Sequence, residues 1–361
     1  MPQPIGRDLE KTRDQLASWL RAKRPEVEAL GIENLRGPKD TGFSSDTLMF
    51  DLHYTKDGAR RAESLVIRLE PAGDFGIFPE YDVALQFNMM RALADTKVPV
   101  PKMLWLEEDR GPLGAPFYVM EKLEGSVPSD SPPYHSTGWI VDLAPDAREA
   151  LWWSGLEAMA AVHQLDWQDP KFAFIRRPEA GRTPLWAQLD YWDHYLSWGM
   201  ERERYPLLEA GRAWLEANQP AAEPTAICWG DSRISNQIFD GTRVIAVIDW
   251  EMLFLGNPVA DLAWFTTLDR CLTEGIGIPR LEGMPDVAAS VSRWEQHVGR
   301  EAEHFDYYVV FAAWRFSALM ARIFLQMKHY EILPQEANVD ANNLATVVLE
   351  RAMDDVGAPR P

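Results

Sequence analysis

The spacing of apolar and polar residues divides the chain into two stretches of different character. Residues 1–30 read as a helix, with Leu9, Leu16, Trp19 and Leu20 toward one side. Residues 45–56 (SDTLMFDLHYTK) and 64–70 (SLVIRLE) are rich in strand formers, and Lys56-Asp57-Gly58 between them is a hairpin turn signal. From Tyr81 to Ala94 the period changes. Val83, Phe87, Met90 and Ala94 recur at intervals of four, three and four, which predicts a helix that Pro99 and Pro101 stop. Residues 102–108 and 116–123 predict two more strands, split by a Gly/Pro loop at 111–116. The first 123 residues thus predict an antiparallel sheet with one prominent inserted helix.

After Gly125 the run SVPSDSPPYHSTGW has no period and reads as a loop. From Ala150 onward helical spacing dominates, as in Trp152, Leu156, Met159 and His163. A small β island interrupts at 225–249, with ICW followed by QIFD and RVIAVID around a turn at Asp240-Gly241. Helices resume over 258–270, 286–299 and 304–331, and one more follows Pro334. The expectation is an α+β chain of two lobes: a β-rich N-lobe over 1–123 and a mainly helical C-lobe over 124–361, with a hinge near 118–125.

Composition narrows the function. The length of 361 residues suits two lobes. A formal charge of −19 argues against nucleic acid or an anionic membrane surface as partner. It fits a solvated acidic surface, and it is compatible with a cationic substrate. Cys228 and Cys271 are too few for a disulfide framework and lack zinc-site spacing, so a cytoplasmic chain is expected. The first twenty residues contain no apolar signal core. The apolar stretch Tyr307 to Leu325 carries Arg315 and Arg322, which predicts a buried helix rather than a membrane span.

The candidate chemistry lies in Trp229-Gly230-Asp231-Ser232-Arg233-Ile234-Ser235-Asn236, followed by Ile248-Asp249-Trp250-Glu251. Asp231 sits in a loop after a short strand. Asn236 follows at the start of a hairpin, and Asp249 ends the returning strand, so the hairpin brings Asn236 and Asp249 side by side. Two hard oxygen ligands at one place suit Mg²⁺, which takes a few carboxylate or amide oxygens together with substrate phosphates. Asp231, just upstream, is placed to accept a proton from an attacking hydroxyl. Each residue by itself reads as a turn or cap; the order and spacing together point to the chemistry.

That pattern, D-x-x-x-x-N with a later I-D-W-E, resembles the aminoglycoside phosphotransferase and choline kinase-like family, and Gly256-Asn257-Pro258-Val259-Ala260-Asp261-Leu262-Ala263 resembles its G-D-P-x-x-D-L-A. Within that family the chain is most similar to the bacterial phosphotransferase branch related to kinase domains fused to acyl-CoA dehydrogenases. The resemblance covers about residues 35–330. It implies a protein-kinase-like fold and an ATP- and Mg²⁺-dependent transfer of the γ-phosphoryl group to a hydroxyl of a small molecule. In it Asp231 is the catalytic base, Asn236 and Asp249 hold Mg²⁺, Arg233 touches phosphates or substrate, and Asp261 buttresses the loop. Thr41-Gly42-Phe43-Ser44-Ser45-Asp46-Thr47 resembles the phosphate loop, with Gly42, Ser44 and Ser45 over the phosphates. Arg68 stands where most kinases carry a phosphate-pairing Lys. The stretch Tyr118 to Gly125 resembles the interlobe hinge, whose backbone around Glu121 and Leu123 binds adenine.

The chain departs from the family at three places. Trp229 replaces the motif His, Asn257 replaces an Asp, and Gln86 falls where a Glu pairs the phosphate-binding cation, leaving Gln86 or Glu80 as partner of Arg68. Neither Trp229 nor Asn257 touches the three chemical residues, so an active enzyme is expected, with a nucleotide- or metabolite-binding pseudokinase as the alternative. His163 lies on the apolar face of its helix and reads as a satisfied core residue. Between 130 and 200 the chain is rich in Trp and Tyr, which favours a less cationic alcohol, such as a hydroxyacyl thioester, over an antibiotic as acceptor. Acidic residues such as Asp190, Asp193, Glu201 and Glu203 are the counter-argument. Monomer and homodimer are both compatible with the sequence.

Overall fold

Asp8 starts the first helix. Its Oδ1 accepts the N–H groups of Glu10 and Lys11 (both 3.1 Å), and α1 runs over Leu9–Lys23. The helix expected over 1–30 ends there, because Glu28–Arg36 is a strand, β1. This correction has a local cause. Ala29 and Asn34 take φ of 50° and 53°, and the pairing of β1 with the next strand shifts register between Glu28 and Gly31 and between Glu33 and Arg36. Each shift breaks the alternation by which a strand is read from sequence.

The hairpin expected at Lys56-Asp57-Gly58 joins β2 (Asp46–Lys56) to β3 (Ala59–Leu69). Asp57 and Gly58 take φ of 52° and 74°, the left-handed pair of a two-residue turn, and Lys56 faces Ala59. Then follow α2 (Val83–Leu93), β4 (Met103–Glu107) and β5 (Phe117–Glu121). The sheet order is β1-β2-β3-β5-β4, antiparallel throughout. Leu48, Phe50, Leu52 and Tyr54 alternate along β2 and share a core with Leu16, Trp19 and Leu20 of α1. Leu65 to Leu69 are buried without alternation, so this half of β3 is covered on both faces. Arg68 lies in it, opposite Thr47 on one side and Tyr118 on the other.

This computed structural model describes residues 7–37, 46–201 and 204–359. The elements so far form one unit, Met1–Ala94 with Pro101–Glu124; a second comprises Asp95–Val100 and Gly125–Pro361. The 95–100 segment goes with the second unit, where the Pro99 carbonyl accepts the N–H of Val247.

The second unit begins with α3 (Pro145–His163), α4 (Pro184–Gly199) and α5 (Pro206–Ala217). The β island follows as β6 (Ala226–Cys228), β7 (Gln237–Asp240), β8 (Arg243–Val247) and β9 (Phe254–Gly256). β7 and β8 form the expected hairpin, and β9, a strand the pattern does not reveal, pairs with β6. The chain closes with α6 (Val259–Cys271), α7 (Val287–Val298), α8 (Phe305–His329) and α9 (Leu344–Asp355). α6 is buried along nearly its whole length and packs on α8 and α9. By length and composition α8 is apolar enough to cross a membrane, yet 78% of its most apolar window is buried inside the protein. Arg315 and Arg322 lie buried on it.

Candidate active site

β6 runs into the loop that carries Asp231. Gly230 takes φ of +91°, and a Cβ there would sit 1.9 Å from the Met252 carbonyl oxygen, so only glycine fits. Asp261, in the first turn of α6, fixes this loop from below. Its Oδ2 accepts the Trp229 N–H (2.6 Å) and its Oδ1 the Gly230 N–H (2.9 Å), while its carbonyl accepts the Ser232 hydroxyl (2.8 Å). His163 Nε2 lies 3.1 Å from Asp261 Oδ2, and the indole N–H of Trp294 donates to His163 Nδ1 (2.9 Å). An indole only donates, so Nδ1 is the acceptor and the proton sits on Nε2. His163 is thus a core residue satisfied at both nitrogens.

Trp229, in place of the motif His, is fully buried, and its indole N–H is shared between the carbonyls of Ile248 and Asp249 (both 3.0 Å). It ties the head of the loop to the segment bearing Asp249. The Ile248 N–H donates to the Asn236 carbonyl (3.0 Å), and Gln237 pairs with Val247. Asn236 and Asp249 therefore adjoin at the base of the β7–β8 hairpin.

Asp231 is 6% exposed. Its Oδ2 accepts Nδ2 of Asn236 (2.7 Å) and pairs with Nη2 of Arg233 (3.1 Å). Its Oδ1 accepts the indole N–H of Trp264 (2.9 Å). Burial pushes the Asp231 carboxyl up; the Arg233 cation and the two hydrogen bonds oppose that rise, and Asp249 adds to it. Arg233 also reaches Asp130 (2.8 Å). Burial works against its charge, but Asp231, Asp130, Asp249 and Glu251 together hold its pKa above the usual value. Four carboxylates thus act on one guanidinium, which leaves a site with excess negative charge.

Both N–H groups of the Asn236 amide go to Asp231, one to its carboxylate and one to its carbonyl (3.1 Å). The oxygen of that amide is not used in these bonds and is a candidate ligand, in a residue that adjoins Asp249 along the hairpin. Among the described residues no group of three or more His, Cys, Asp or Glu is arranged to hold a metal. An amide oxygen and one carboxylate are a two-ligand set that suits Mg²⁺, which keeps several positions for water and phosphate.

In the first unit Arg68 is 7% exposed. Gln86, a candidate partner for it, accepts the Tyr118 hydroxyl at Oε1 (3.2 Å), and Glu80 is exposed. The Glu121 N–H donates to the Lys102 carbonyl (3.0 Å) and the Lys122 N–H to Ser64 (2.9 Å), so both are committed within the sheet. The Leu123 N–H has no backbone partner among the described residues. Gly42, Ser44 and Ser45 lie outside the described residues.

Two site residues escape the sequence pattern. Asp130 sits in the loop without a period. Trp264 lies three residues after Asp261 on α6, a spacing that puts the two on one side of the helix. Asn257 also acquires a reason: its Oδ1 caps the Val259 N–H (3.0 Å) while its Nδ2 faces Glu223 (3.5 Å), where an Asp would oppose a second carboxylate.

The sequence pattern of the phosphotransferase enzyme family matches residues 50–284. Mouse acyl-CoA dehydrogenase family member 10 is 27% identical over 311 residues, 81% of this chain and 27% of the relative. Human acyl-CoA dehydrogenase family member 11 is 28% identical over 235 residues, 61% of this chain and 28% of the relative. The chain spans little more than a quarter of the length of either. Among solved structures, a Ralstonia eutropha protein classed with the aminoglycoside phosphotransferases has a TM-score of 0.67 at 25% identity, covering 94% of this chain and 98% of its own. A thermostable mutant of aminoglycoside phosphotransferase APH(4)-Ia, in ternary complex with AMP-PNP and hygromycin B, has a TM-score of 0.59 at 15% identity, covering 96% and 100%. A choline/ethanolamine kinase family protein from Mesorhizobium loti has a TM-score of 0.55 at 16% identity, covering 96% of each. With the kinase-like fold around the matched segment, the chain belongs to the phosphotransferase enzyme family and is a kinase-type transferase.

Proposed function

We propose that the protein transfers the γ-phosphoryl group of ATP, with Mg²⁺, to a hydroxyl of a small molecule. The observation that carries this reading is the Asp231 carboxylate, buried, fixed by Asn236, Arg233 and Trp264, and set beside the Asn236–Asp249 pair. Asp231 takes the proton of the acceptor hydroxyl as the hydroxyl oxygen bonds the γ-phosphorus and ADP leaves. Asn236 Oδ1 and Asp249 would hold Mg²⁺, which neutralises charge on the phosphate oxygens. Arg68 is suited to the phosphates, and the Glu121 carbonyl and the Leu123 N–H are the backbone groups proposed for adenine; AMP-PNP in the APH(4)-Ia complex supports the nucleotide. Arg233 keeps Asp231 oriented. The cytoplasm is the proposed compartment, with neither nucleic acid nor membrane as partner.

For the acceptor, an apolar alcohol is favoured over a polycation. Asp193 is engaged by both nitrogens of the Arg212 fork (2.7 and 2.8 Å), so it is committed within the fold. On α8, Arg315 and Arg322 lie against the rings of Trp192 and Trp198 on α4 (5.1 and 4.4 Å), which puts positive charge beside the aromatic helix. The dehydrogenase relatives support a hydroxyacyl thioester as the form to try first.

The test is ADP release from MgATP with purified protein against aminoglycosides, macrolides, amino alcohols and hydroxyacyl-CoA thioesters. Asp231→Asn is expected to lower turnover by about 10²-fold or more, the scale of a general base. A variant with wild-type turnover, or a wild-type protein that binds ATP in a thermal-shift assay and releases no ADP with any acceptor, refutes the reading.

A further inference from the structure

One of the three groups that grip Asp231 belongs to none of the motif positions. A carboxylate oxygen has two lone-pair sites. Oδ2 accepts Nδ2 of Asn236 (2.7 Å) and is ion-paired with Nη2 of Arg233 (3.1 Å), a positive charge that opposes a proton on that oxygen. Oδ1 accepts one donor, the indole N–H of Trp264 (2.9 Å), and keeps one site open. The geometry points to Oδ1 as the oxygen that receives the acceptor's proton, and to Trp264 as the positioning residue that fixes the direction of its open lone pair. This inference rests on the reading of Asp231 as base.

The indole is in turn held rigidly. Trp264 is fully buried, and the Phe316 ring meets it edge-on at 5.7 Å. The Arg315 guanidinium lies 4.6 Å from the ring, inside a cage completed by Trp192, Phe254 and Phe311. Arg315 Nη2 also donates to the Gly230 carbonyl (3.3 Å). One arginine therefore braces both the residue preceding Asp231 and the ring that orients its carboxylate. Burial in this apolar cage pushes the Arg315 pKa down to about 10, which still leaves it charged at neutral pH. A phenyl ring would fill most of the same space; only the indole N–H reaches Oδ1. That difference separates positioning from packing.

The test compares Trp264→Phe with wild type in ADP release from MgATP with water as acceptor, on protein whose folding is checked by thermal melting. The expected result is a kcat about tenfold lower with KM for MgATP within twofold, the pattern of an interaction that matters in the transition state and not in nucleotide binding. Asp231→Asn is run alongside. If it keeps wild-type turnover, the assignment of the base fails and the inference with it. If it is inactive while folded Trp264→Phe keeps wild-type kcat, only the role of Trp264 is overturned. Should Trp264→Phe not fold, Trp264→benzothienylalanine keeps the bicyclic ring and removes the N–H, and the same two outcomes decide.

Discussion

Helix α6 carries two buried carboxylates, Asp261 and Asp269, and each is paired with a histidine in the same way. In both pairs the histidine Nε2 meets the carboxylate, His163 at 3.1 Å and His135 at 2.8 Å, while Nδ1 accepts a hydrogen bond, from Trp294 in one and from the Leu281 N–H in the other. The remaining partners differ. Asp261 takes two main-chain N–H groups of the loop that carries Asp231. Asp269 takes side chains, the Tyr134 hydroxyl (2.7 Å) and the Arg280 guanidinium (2.6 Å). Main-chain donors leave the loop little freedom, so Asp261 sets the position of atoms next to the Asp231 carboxylate. Side-chain donors join distant segments through flexible stems, so Asp269 fastens the 134–135 segment and the 280–281 segment to α6. One carboxylate serves geometry and the other serves stability.

Breaking the first is expected to have the larger effect. In Asp261→Asn one loop N–H faces an amide NH₂ in place of an oxygen, and a buried donor without a partner costs about 1–3 kcal/mol. Turnover per folded molecule is expected to fall more than tenfold, because Gly230 and Asp231 lose their fixed position. Urea unfolding together with ADP release on the folded fraction checks both parts. A variant that loses stability but keeps kcat would mean that the two carboxylates do the same job.

Asp269→Asn gives the opposite split. Removing one partner of a buried ion pair costs roughly 3 kcal/mol, yet kcat is expected to stay within twofold. The pH dependence sharpens this. Burial alone would raise the Asp269 carboxyl, but His135 and Arg280 hold it below the usual value. A lowered carboxyl contributes stability above its unfolded value, near ~3.9, and loses that contribution as the pH falls through the folded value. The unfolding midpoints of wild type and Asp269→Asn should therefore differ at pH 7 and converge as the pH drops below about 4. A constant difference across that range would contradict the assignment.

The same contrast explains what could be read in the sequence. Asp231, Asn236 and Asp249 were legible because a short loop and one hairpin bring them together, so their order along the chain already carries the geometry. The buried helix α8 was legible because two arginines interrupt its apolar run. Trp264 was not legible: it stands 33 residues from Asp231, and only the packing of α6 beneath the loop brings its N–H to that carboxylate. Asp130 meets Arg233 across 103 residues from a segment with no period. β1 was lost to its register shifts, which erase the alternation that would have announced it. Contacts between residues close in the chain leave a local pattern, and contacts made by tertiary packing leave none.

A third carboxylate, Glu223, in the segment before β6 and facing Asn257 just ahead of α6, extends the comparison and carries the smallest expected effect. Glu223 is half-buried, and its hydrogen-bond partner among the described residues, Nδ2 of Asn257, is 3.5 Å away, at the limit of a hydrogen bond. Burial pushes its carboxyl up to about 7. Unlike Asp269 it lacks donors, among the described residues, good enough to hold the charged form. The sign of the linkage follows. The unfolded chain loses this proton near ~4.3, while the folded chain keeps it until about pH 7, so wild-type stability falls between those values and stays lower above them. Glu223→Gln removes that loss. The variant is expected to match wild type near pH 4 and to exceed it at pH 8 by roughly 1 kcal/mol, a figure reduced for solvent screening of a half-exposed group. Turnover should not change, because Glu223 touches neither the loop nor Asp261. Asn257→Asp is the converse: a second carboxylate would push Glu223 higher still and steepen the fall in stability with pH, measured as unfolding midpoints at pH 5, 6.5 and 8. If neither variant alters the pH dependence, Glu223 finds better donors in solution than Asn257, and the distinction between a well-held and a poorly held carboxylate does not extend to Glu223.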